Sequence, residues 1–219
     1  AQRGDGEATR ARILEAAGEL FASTGFAETT SKAIAARADV DLALINYHFG
    51  SRSGLYQAVL VEAHRRFMDL ADLQALAQNP VSAHARFKAL LSLLVVKAAN
   101  GKDGWHMAVL AAEMLAPSSH IQALFQTVVP QKVSLVIGML SEITAIPAHD
   151  PALLRCLLSV AAPCLLMQLS ARGAPTPVQG ILRLPHEVIV DHLYAFSVAG
   201  LEAIGREYVL RSQESGERP

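Results

Sequence analysis

The stretch Ser31-Lys32-Ala33-Ile34-Ala35-Ala36-Arg37-Ala38-Asp39-Val40-Asp41-Leu42-Ala43-Leu44-Ile45-Asn46-Tyr47-His48-Phe49-Gly50-Ser51-Arg52 decides the fold. It holds two short segments with helical spacing. In the first, Ile34, Ala35 and Ala38 share a face behind Thr30 or Ser31, either of which can cap a helix. That segment stops at Asp39-Val40, and Asp41 is placed to cap a second one, Leu42 to Phe49. Gly50-Ser51-Arg52-Ser53 then breaks the chain. Two short helices joined by a tight turn make a helix-turn-helix, whose second helix can enter a major groove. With Ile45 turned to the core, Phe49, Leu42 and His48 fall within ~60° of it at about 100° per residue. Ala43, Leu44, Asn46 and Tyr47 then point outward. An outward tyrosine and asparagine among small neighbours can touch bases or phosphates. Periodicity alone equally allows an ordinary short core helix.

Working outward, Ile13, Ala16, Ala17, Leu20 and Phe21 form one face of a helix starting near Thr9, and Gly25 is placed to end it. Downstream, Leu55, Val59 and Ala63 open a longer helix over 53–76. Further helices are expected at 82–99, 105–116, 119–146, 151–172 and 186–209. Breaks fall at Asn79-Pro80, 100–104, Pro147 and 173–180, and the tail after Arg211 reads as frayed. Pro130 and Pro163 lie inside expected helices and should kink them. The chain therefore reads as all-α with about nine helices. It divides into a helix-turn-helix domain, 1–56, and a helical ligand-binding and dimerisation domain, 57–219.

Composition agrees. The chain has 219 residues, of which 52% are hydrophobic, 18% charged and 5% aromatic, so it is neither disordered nor a coiled coil. Alanine and leucine carry most of the apolar content and favour helices over a β-sandwich. The longest uncharged run, Cys156 to Ala171, is sixteen residues and contains Pro163. A spanning helix needs about 20 apolar residues, so this run reads as a buried helix. The N-terminal residues Ala1 to Glu7 have no apolar core like that of a signal peptide, and two cysteines do not make a disulfide scaffold. A soluble, cytoplasmic protein with no membrane partner is expected.

The stretch Thr29 to Ala35, followed by Val40-Asp41 and Ile45-Asn46-Tyr47-His48-Phe49-Gly50-Ser51-Arg52, resembles the DNA-binding domain of TetR-family regulators. Ile13 to Ala17 with Leu20-Phe21 and Gly25-Phe26 look like that family's first helix. The resemblance runs continuously over about residues 9–60. It implies a homodimer on a near-palindromic double-stranded operator, usually a repressor released by a small molecule. By the same resemblance, Ser31 and Lys32 open a helix that contacts phosphates. Leu42, Ala43, Leu44, Asn46, Tyr47 and His48 belong to the recognition helix, and Arg52 holds a phosphate. Free N–H groups at the helix start beside Arg52 attract phosphate as well.

Three features depart from the family pattern. Asp39 stands where glycine is usual, in a left-handed turn that Asp adopts less easily than Gly. Leu42 and Leu44 replace polar or small contact residues. Residues 1–66 also balance eight basic residues (Arg3, Arg10, Arg12, Lys32, Arg37, Arg52, Arg65, Arg66) against eight acidic ones (Asp5, Glu7, Glu15, Glu19, Glu28, Asp39, Asp41, Glu62). Non-specific attraction to DNA should then be modest unless Lys32 and Arg52, helped by an arm carrying Arg3, Arg10 and Arg12, are locally well placed.

Scattered positions in the C-terminal part resemble the CecR-like branch of the family: Trp105, Glu113 to Ser118, Cys156, Pro163-Cys164-Leu165, Asp191-His192, Phe196-Ser197 and Ala199-Gly200-Leu201. That resemblance implies a ligand-binding, dimer-forming helical domain. Small residues Ser159, Ala162, Ala195, Ala199 and Gly200 among Leu and Val suit close packing of helices 151–172 and 186–209 into an intersubunit four-helix bundle. Trp105, His106, Met107, Leu110, Glu113 and Met114 share an amphipathic stretch, with Met167 and Gln168 on a facing helix. Such walls suit a small, largely hydrophobic effector, although Met and Trp at this spacing are more often plain core. A carboxylate in that setting, Glu113, needs a partner: an Arg, a His or a cationic ligand.

No enzyme, cofactor or metal is expected. GxSxG, Walker and GxGxxG motifs are absent. His186, Glu187, Asp191 and His192 cluster in sequence, but only Glu187 and Asp191 share a helical face. Cys156 and Cys164 would lie ~12 Å apart along one helix, too far for a disulfide. The remaining alternative to a ligand-responsive regulator is a helical small-molecule-binding or scaffold protein with a vestigial helix-turn-helix.

Overall fold

In the computed structural model, residues 2–100, 104–170 and 177–214 are described, and all their regular structure is helical. The first four helices are α1 (Gln2–Glu28), α2 (Ser31–Ala38), α3 (Leu42–Phe49) and α4 (Arg52–Phe67). Next come α5 (Leu70–Gln78), α6 (Ala83–Asn100), α7 (Trp105–Leu115), a 3-10 turn (Ser119–Ile121) and α8 (Gln122–Thr127). The chain continues with α9 (Val129–Thr144), α10 (Ala152–Ser170), α11 (Pro177–Ile181) and α12 (His186–Glu214).

The all-α expectation stands, with more helices than nine. Two of the additional ones, α5 and α8, arise where one long helix was expected and the chain breaks, and α11 begins inside the break expected at 173–180. The expected helix 53–76 is divided at Met68 into α4 and α5, and 119–146 becomes a 3-10 turn, α8 and α9. Pro130 does not kink a helix interior. It is the second residue of α9, where a missing N–H costs nothing. Pro163 does lie inside α10, which continues through it. α1 starts well before Thr9, so Arg10 and Arg12 stand on a helix and not on a loose arm. Gly25 interrupts α1 with φ 79° and ψ 167°, yet helix resumes to Glu28. α12 runs past Arg211 to Glu214; of the break expected at 173–180, the first half lies outside the described residues and the second half is helical, in α11.

The residues form two compact units, one of 1–69 with 104–129, the other of 70–103 with 130–219. The boundary expected at 56/57 falls inside α4, which cannot be cut there. Leu55, Tyr56, Val59, Leu60 and Ala63 bury one continuous face along it. In the first unit this face meets Ile13, Ala17 and Phe21 of α1, Ile34 of α2, Ile45 of α3, and Val109 and Leu110 of α7. In the second, Phe87, Leu91 and Val95 of α6 pack with Leu140 of α9, Leu153 and Cys156 of α10, and Val190 and Leu201 of α12.

Local caps set the helix-turn-helix. Thr30 accepts a hydrogen bond from Ala33 N at 3.1 Å, Asp41 from Ala43 N at 2.7 Å, and Ser51 from Gly54 N at 3.0 Å. Between α2 and α3, Asp39 is left-handed at φ 52° and ψ 57°, and its amide and that of Val40 close α2 onto Ala36 and Ala35 carbonyls. The left-handed conformation costs roughly 1–2 kcal/mol for a residue with a Cβ, less for Asp and nothing for Gly. Thermal unfolding should accordingly rank Asp39→Gly at or above the wild type. Asp39→Val, β-branched and without a polar side chain, should fall below it by about 1–2 kcal/mol.

Candidate nucleic-acid interface

α3 buries little of itself. Ile45 is fully inside the core, Leu44 and Phe49 pack half-buried against it, and the rest of the helix faces outward. Tyr47 is 81% exposed, and Asn46 and Ala43 are exposed beside it. The helical-wheel expectation for two leucines is corrected: Leu42 is exposed and Leu44 is tucked inward. The cause is position, because Leu42 is the first residue of a two-turn helix and extends past the part covered by α2 and α4. His48 is half-buried, its ring edge-on to Tyr47 at 5.0 Å between centroids. Ser31 is half-buried and Lys32 exposed at the start of α2.

Arg52 does more than the sequence suggests. Its guanidinium donates to the Thr29 carbonyl at 2.7 Å and lies over the Phe26 ring at 4.4 Å from the centroid. It therefore ties the start of α4 to the junction between α1 and α2. A guanidinium has five N–H donors, so this tie leaves others for a phosphate. Arg10, whose position beside α3 was not anticipated, reaches over the Phe49 ring at 5.1 Å.

The neutral charge balance resolves once partners are assigned. Glu19 pairs with Arg37 at 2.6 Å, and Glu62 with Arg65 at 2.8 Å and Arg66 at 2.9 Å. Arg66 also meets Glu15 at 2.7 Å. These carboxylates serve helix packing, while Arg10, Arg12, Lys32 and Arg52 form no carboxylate pair among the described residues. Cations are thereby left on α1, α2 and α4 beside the exposed α3.

The expected ligand residues are divided between the two units. Trp105, His106, Leu110, Glu113 and Met114 belong to the first unit, Met167 and Gln168 to the second. Trp105 is buried: its ring lies where a Cβ on Gly18 would fall, 2.3 Å away, and its Nε1–H donates to Glu15 at 2.9 Å. Arg66 covers its face at 4.7 Å. Leu110 is core, His106 half-buried and Met114 exposed. Met167 is core, and Gln168 Nε2 donates to the Leu94 carbonyl at 3.1 Å.

Glu113 needs no Arg, His or cationic ligand. It is 3% exposed and accepts from Tyr56 Oη at 2.8 Å, Ser118 N at 2.9 Å and Ser118 Oγ at 2.8 Å. Burial and this carboxylate push the Tyr56 hydroxyl well above its ordinary value. Tyr56 lies on the periodic buried face of α4, whereas Ser53, Ser118 and His120, which complete the cluster, carry no periodicity signal.

In the second unit, an open groove of about 490 Å³ lies between the end of α9 and α12, lined by Thr144, Gly205, Arg206 and Leu210 among others. None of the expected ligand residues lines it. Asp191 pairs with Lys88 at 2.7 Å, and no three potential metal ligands come together among the described residues. Burial pushes both thiols up, Cys164 to about 11, which makes them poor thiolates.

Comparison with known proteins follows the same division. Residues 13–59 match the family described as bacterial regulatory proteins, tetR family. A comparison with curated proteins finds no match. Among solved structures, a transcriptional regulator from Pseudomonas aeruginosa described as putative aligns at TM-score 0.71 and 21% identity, covering 90% of this chain and 92% of its own. FadR of Bacillus subtilis, in complex with stearoyl-CoA, aligns at 0.63 and 14%, covering 86% and 97%. AibR, in complex with isovaleryl coenzyme A and operator DNA, aligns at 0.62 and 16%, covering 86% and 97%. The fold of the chain is that of these TetR-type regulators.

The Glu15, Glu62 and Arg66 cluster gives the first unit a pH dependence. Hydrogen bonds from Arg65 and then Arg66 hold Glu62 down to about 2 from an ordinary 4.5, and a hydrogen bond from Arg66 lowers Glu15 as well. The folded state thus binds these protons less readily than the unfolded chain. Their stabilisation is complete above about pH 4.5 and is lost as pH falls toward 2. Thermal midpoints measured between pH 5 and 2.5 should fall less steeply in Glu62→Gln than in the wild type.

Proposed function

We propose that this protein is a homodimeric, ligand-responsive DNA-binding transcriptional regulator, a repressor released from a near-palindromic operator by a small, largely hydrophobic molecule. The observation carrying the reading is an α3 that spends only Ile45, Leu44 and Phe49 on its own core. It presents Tyr47, Asn46, Ala43 and Leu42 to solvent between cations on α1, α2 and α4. A helix serving the core alone has no reason to leave a tyrosine 81% exposed. In this reading Tyr47, Asn46, Ala43, Leu42 and His48 meet the groove, while Leu44 stays with the core. Ser31, Lys32 and Arg52 hold phosphates, which fix register while base contacts specify sequence.

Two helices of the second unit support the dimer. On α10, Leu154, Leu158 and Leu166 are exposed, and on α12 so are Val188, Phe196 and Ile204. Ser159, Ala162, Ala195, Ala199 and Gly200 are exposed among them. Apolar and small residues on two neighbouring helices fit a self-complementary four-helix contact. α12 is also long and apolar enough to cross a membrane. Its Asp191 and Glu202, however, pair with Lys88 and His84 of α6, which suits a helix packed in protein rather than in lipid. A rigid dimer is needed to hold two recognition helices at the ~34 Å half-site spacing.

The proposed mechanism is a population shift, in which effector binding favours a conformer whose α7 tilts α4 and changes the separation of the recognition helices. A coupling of about 1–3 kcal/mol changes operator affinity roughly 5–150-fold. The stearoyl-CoA and isovaleryl-CoA bound by structural neighbours are the first effectors to try, and the scattered CecR-like positions add a ligand-binding branch of the family to the reading. The reading assigns the protein no catalysis and places it, soluble, in the cytoplasm.

Selection of duplexes from a random library at near-physiological salt tests this. The ligand-free protein should enrich an inverted repeat, and affinity should fall steeply with salt, as phosphate contacts require. Tyr47→Ala should abolish enrichment without lowering the thermal midpoint. Phe196→Glu should yield monomers in sedimentation and lose operator affinity. A folded dimer that enriches no sequence and shows no salt dependence would leave the small-molecule-binding alternative with a vestigial helix-turn-helix.

A further inference from the structure

His120, in the 3-10 turn between α7 and α8, hydrogen-bonds on both sides: Nδ1 to Ser118 Oγ at 3.1 Å and Nε2 to Ser53 Oγ at 2.7 Å. Its ring lies 4.6 Å from that of Phe26, the ring Arg52 covers, and 5.3 Å from that of Tyr56. His120 thus touches the residue next to Arg52 on α4 and also the platform beneath the Arg52 guanidinium.

The bonds run in one direction, and Glu113 sets it. A carboxylate accepts only, so the Ser118 hydroxyl proton points to Glu113 Oε1. The Ser118 oxygen then has only lone pairs to offer His120, and it also receives the His120 backbone N–H at 3.2 Å. Nδ1 must therefore carry the ring proton and donate. In the neutral ring Nε2 is then the acceptor, and Ser53 donates to it. The charge on a buried acid of α7 thereby orients a hydroxyl on the first turn of α4, three groups away.

We propose that Glu113–Ser118–His120–Ser53 is a polar latch that fixes the first turn of α4, and with it the Arg52 tie, to the segment following α7. This rests on the DNA-binding reading above and adds the residues through which that site is regulated. Residues 104–129 enter the chain between two stretches of the second unit, 70–103 and 130–219. The latch is where that inserted segment grips the end of the helix-turn-helix. Breaking it frees Ser53 and the Phe26 platform, and the phosphate-facing start of α4 loses its fixed position.

The test separates hydrogen bonding from packing. His120→Phe keeps an aromatic ring against Phe26 and Tyr56 but makes neither bond, whereas His120→Gln supplies an oxygen that can still accept from Ser53. Affinity for the selected inverted repeat should fall at least 5-fold in His120→Phe and stay within 2-fold of wild type in His120→Gln, both dimeric. Ser53→Ala, which removes the same bond from the α4 side, should match His120→Phe and decides the matter if the phenylalanine variant does not fold. The ring nitrogen shifts of His120 should show a neutral ring with the proton on Nδ1. Wild-type affinity in both His120→Phe and Ser53→Ala, or a proton on Nε2, overturns the latch while leaving the regulator standing. Failure of the wild-type protein to select any repeat overturns both.

Discussion

α4 has a single apolar face, and two sets of helices pack on it. Leu55, Val59, Leu60 and Ala63 are all but inaccessible, and they meet α1 and α3 as well as α7. Protein interiors are packed too tightly for one side of such a helix to shift alone. Whatever moves α7 must therefore either move α4 or open a gap in this core. The dense polar contacts along the same helix, from Ser53 and Tyr56 at one end to Glu62 and Arg66 at the other, add direction to what apolar packing leaves unoriented.

Electrostatics in the first unit make sense only after this packing is in place. A count of charges finds no excess of cations. Pairing changes the picture, since Glu15 and Glu19 are occupied by Arg66 and Arg37 in bonds that join helices, and Glu62 by Arg65 within α4. Exposed pairs of this kind contribute little to stability individually. Their larger effect is on where the unpaired cations lie, and these accompany α3. Asp39 and Asp41 stay near the same face, Asp41 with its carboxylate engaged as a cap. That cost in repulsion with phosphate is consistent with a site depending on placement more than on net charge.

The helix-turn-helix was legible because it is local. Caps at Thr30, Asp41 and Ser51, the breaker at Gly50 and the face of Ile34, Ala35, Ala38 and Ile45 lie within a few residues of what they control. Element boundaries further on were less legible where the chain turns without Gly or Pro, as at Met68. The site was legible in part. Tyr47 and Asn46 could be placed by angle, but Leu42 and Leu44 exchanged roles, because a wheel assumes cover along the whole helix. Arg52 could be recognised as a basic residue at a helix start, not as a tie to Thr29, which is 23 residues away. Glu113 announced that partners were needed; which ones depended on the 3-10 turn that brings Ser118 and His120 round, and no periodicity encodes that turn.

The two faces left uncovered, α3 in one unit and α10 with α12 in the other, differ in chemistry in a way that bears on what each would meet. On α3 the exposed groups are a phenol, an amide, a methyl and the Leu42 side chain, with the Arg10 guanidinium over the neighbouring Phe49 ring, a surface that can gain from polar, anionic contact. On α10 and α12 they are leucine, valine, isoleucine and phenylalanine with alanines between, and two charges of α12 are turned to α6, Asp191 to Lys88 and Glu202 to His84. Burying such a face is favourable at roughly 25 cal/mol per Å² of apolar area, so leaving it in water is the costlier arrangement. A partner covering it with the same composition satisfies both copies at once, as a two-fold contact does. In the proposed reading one surface meets a polyanion and the other its own copy, and a dimer presenting two copies of α3 to one duplex would use both.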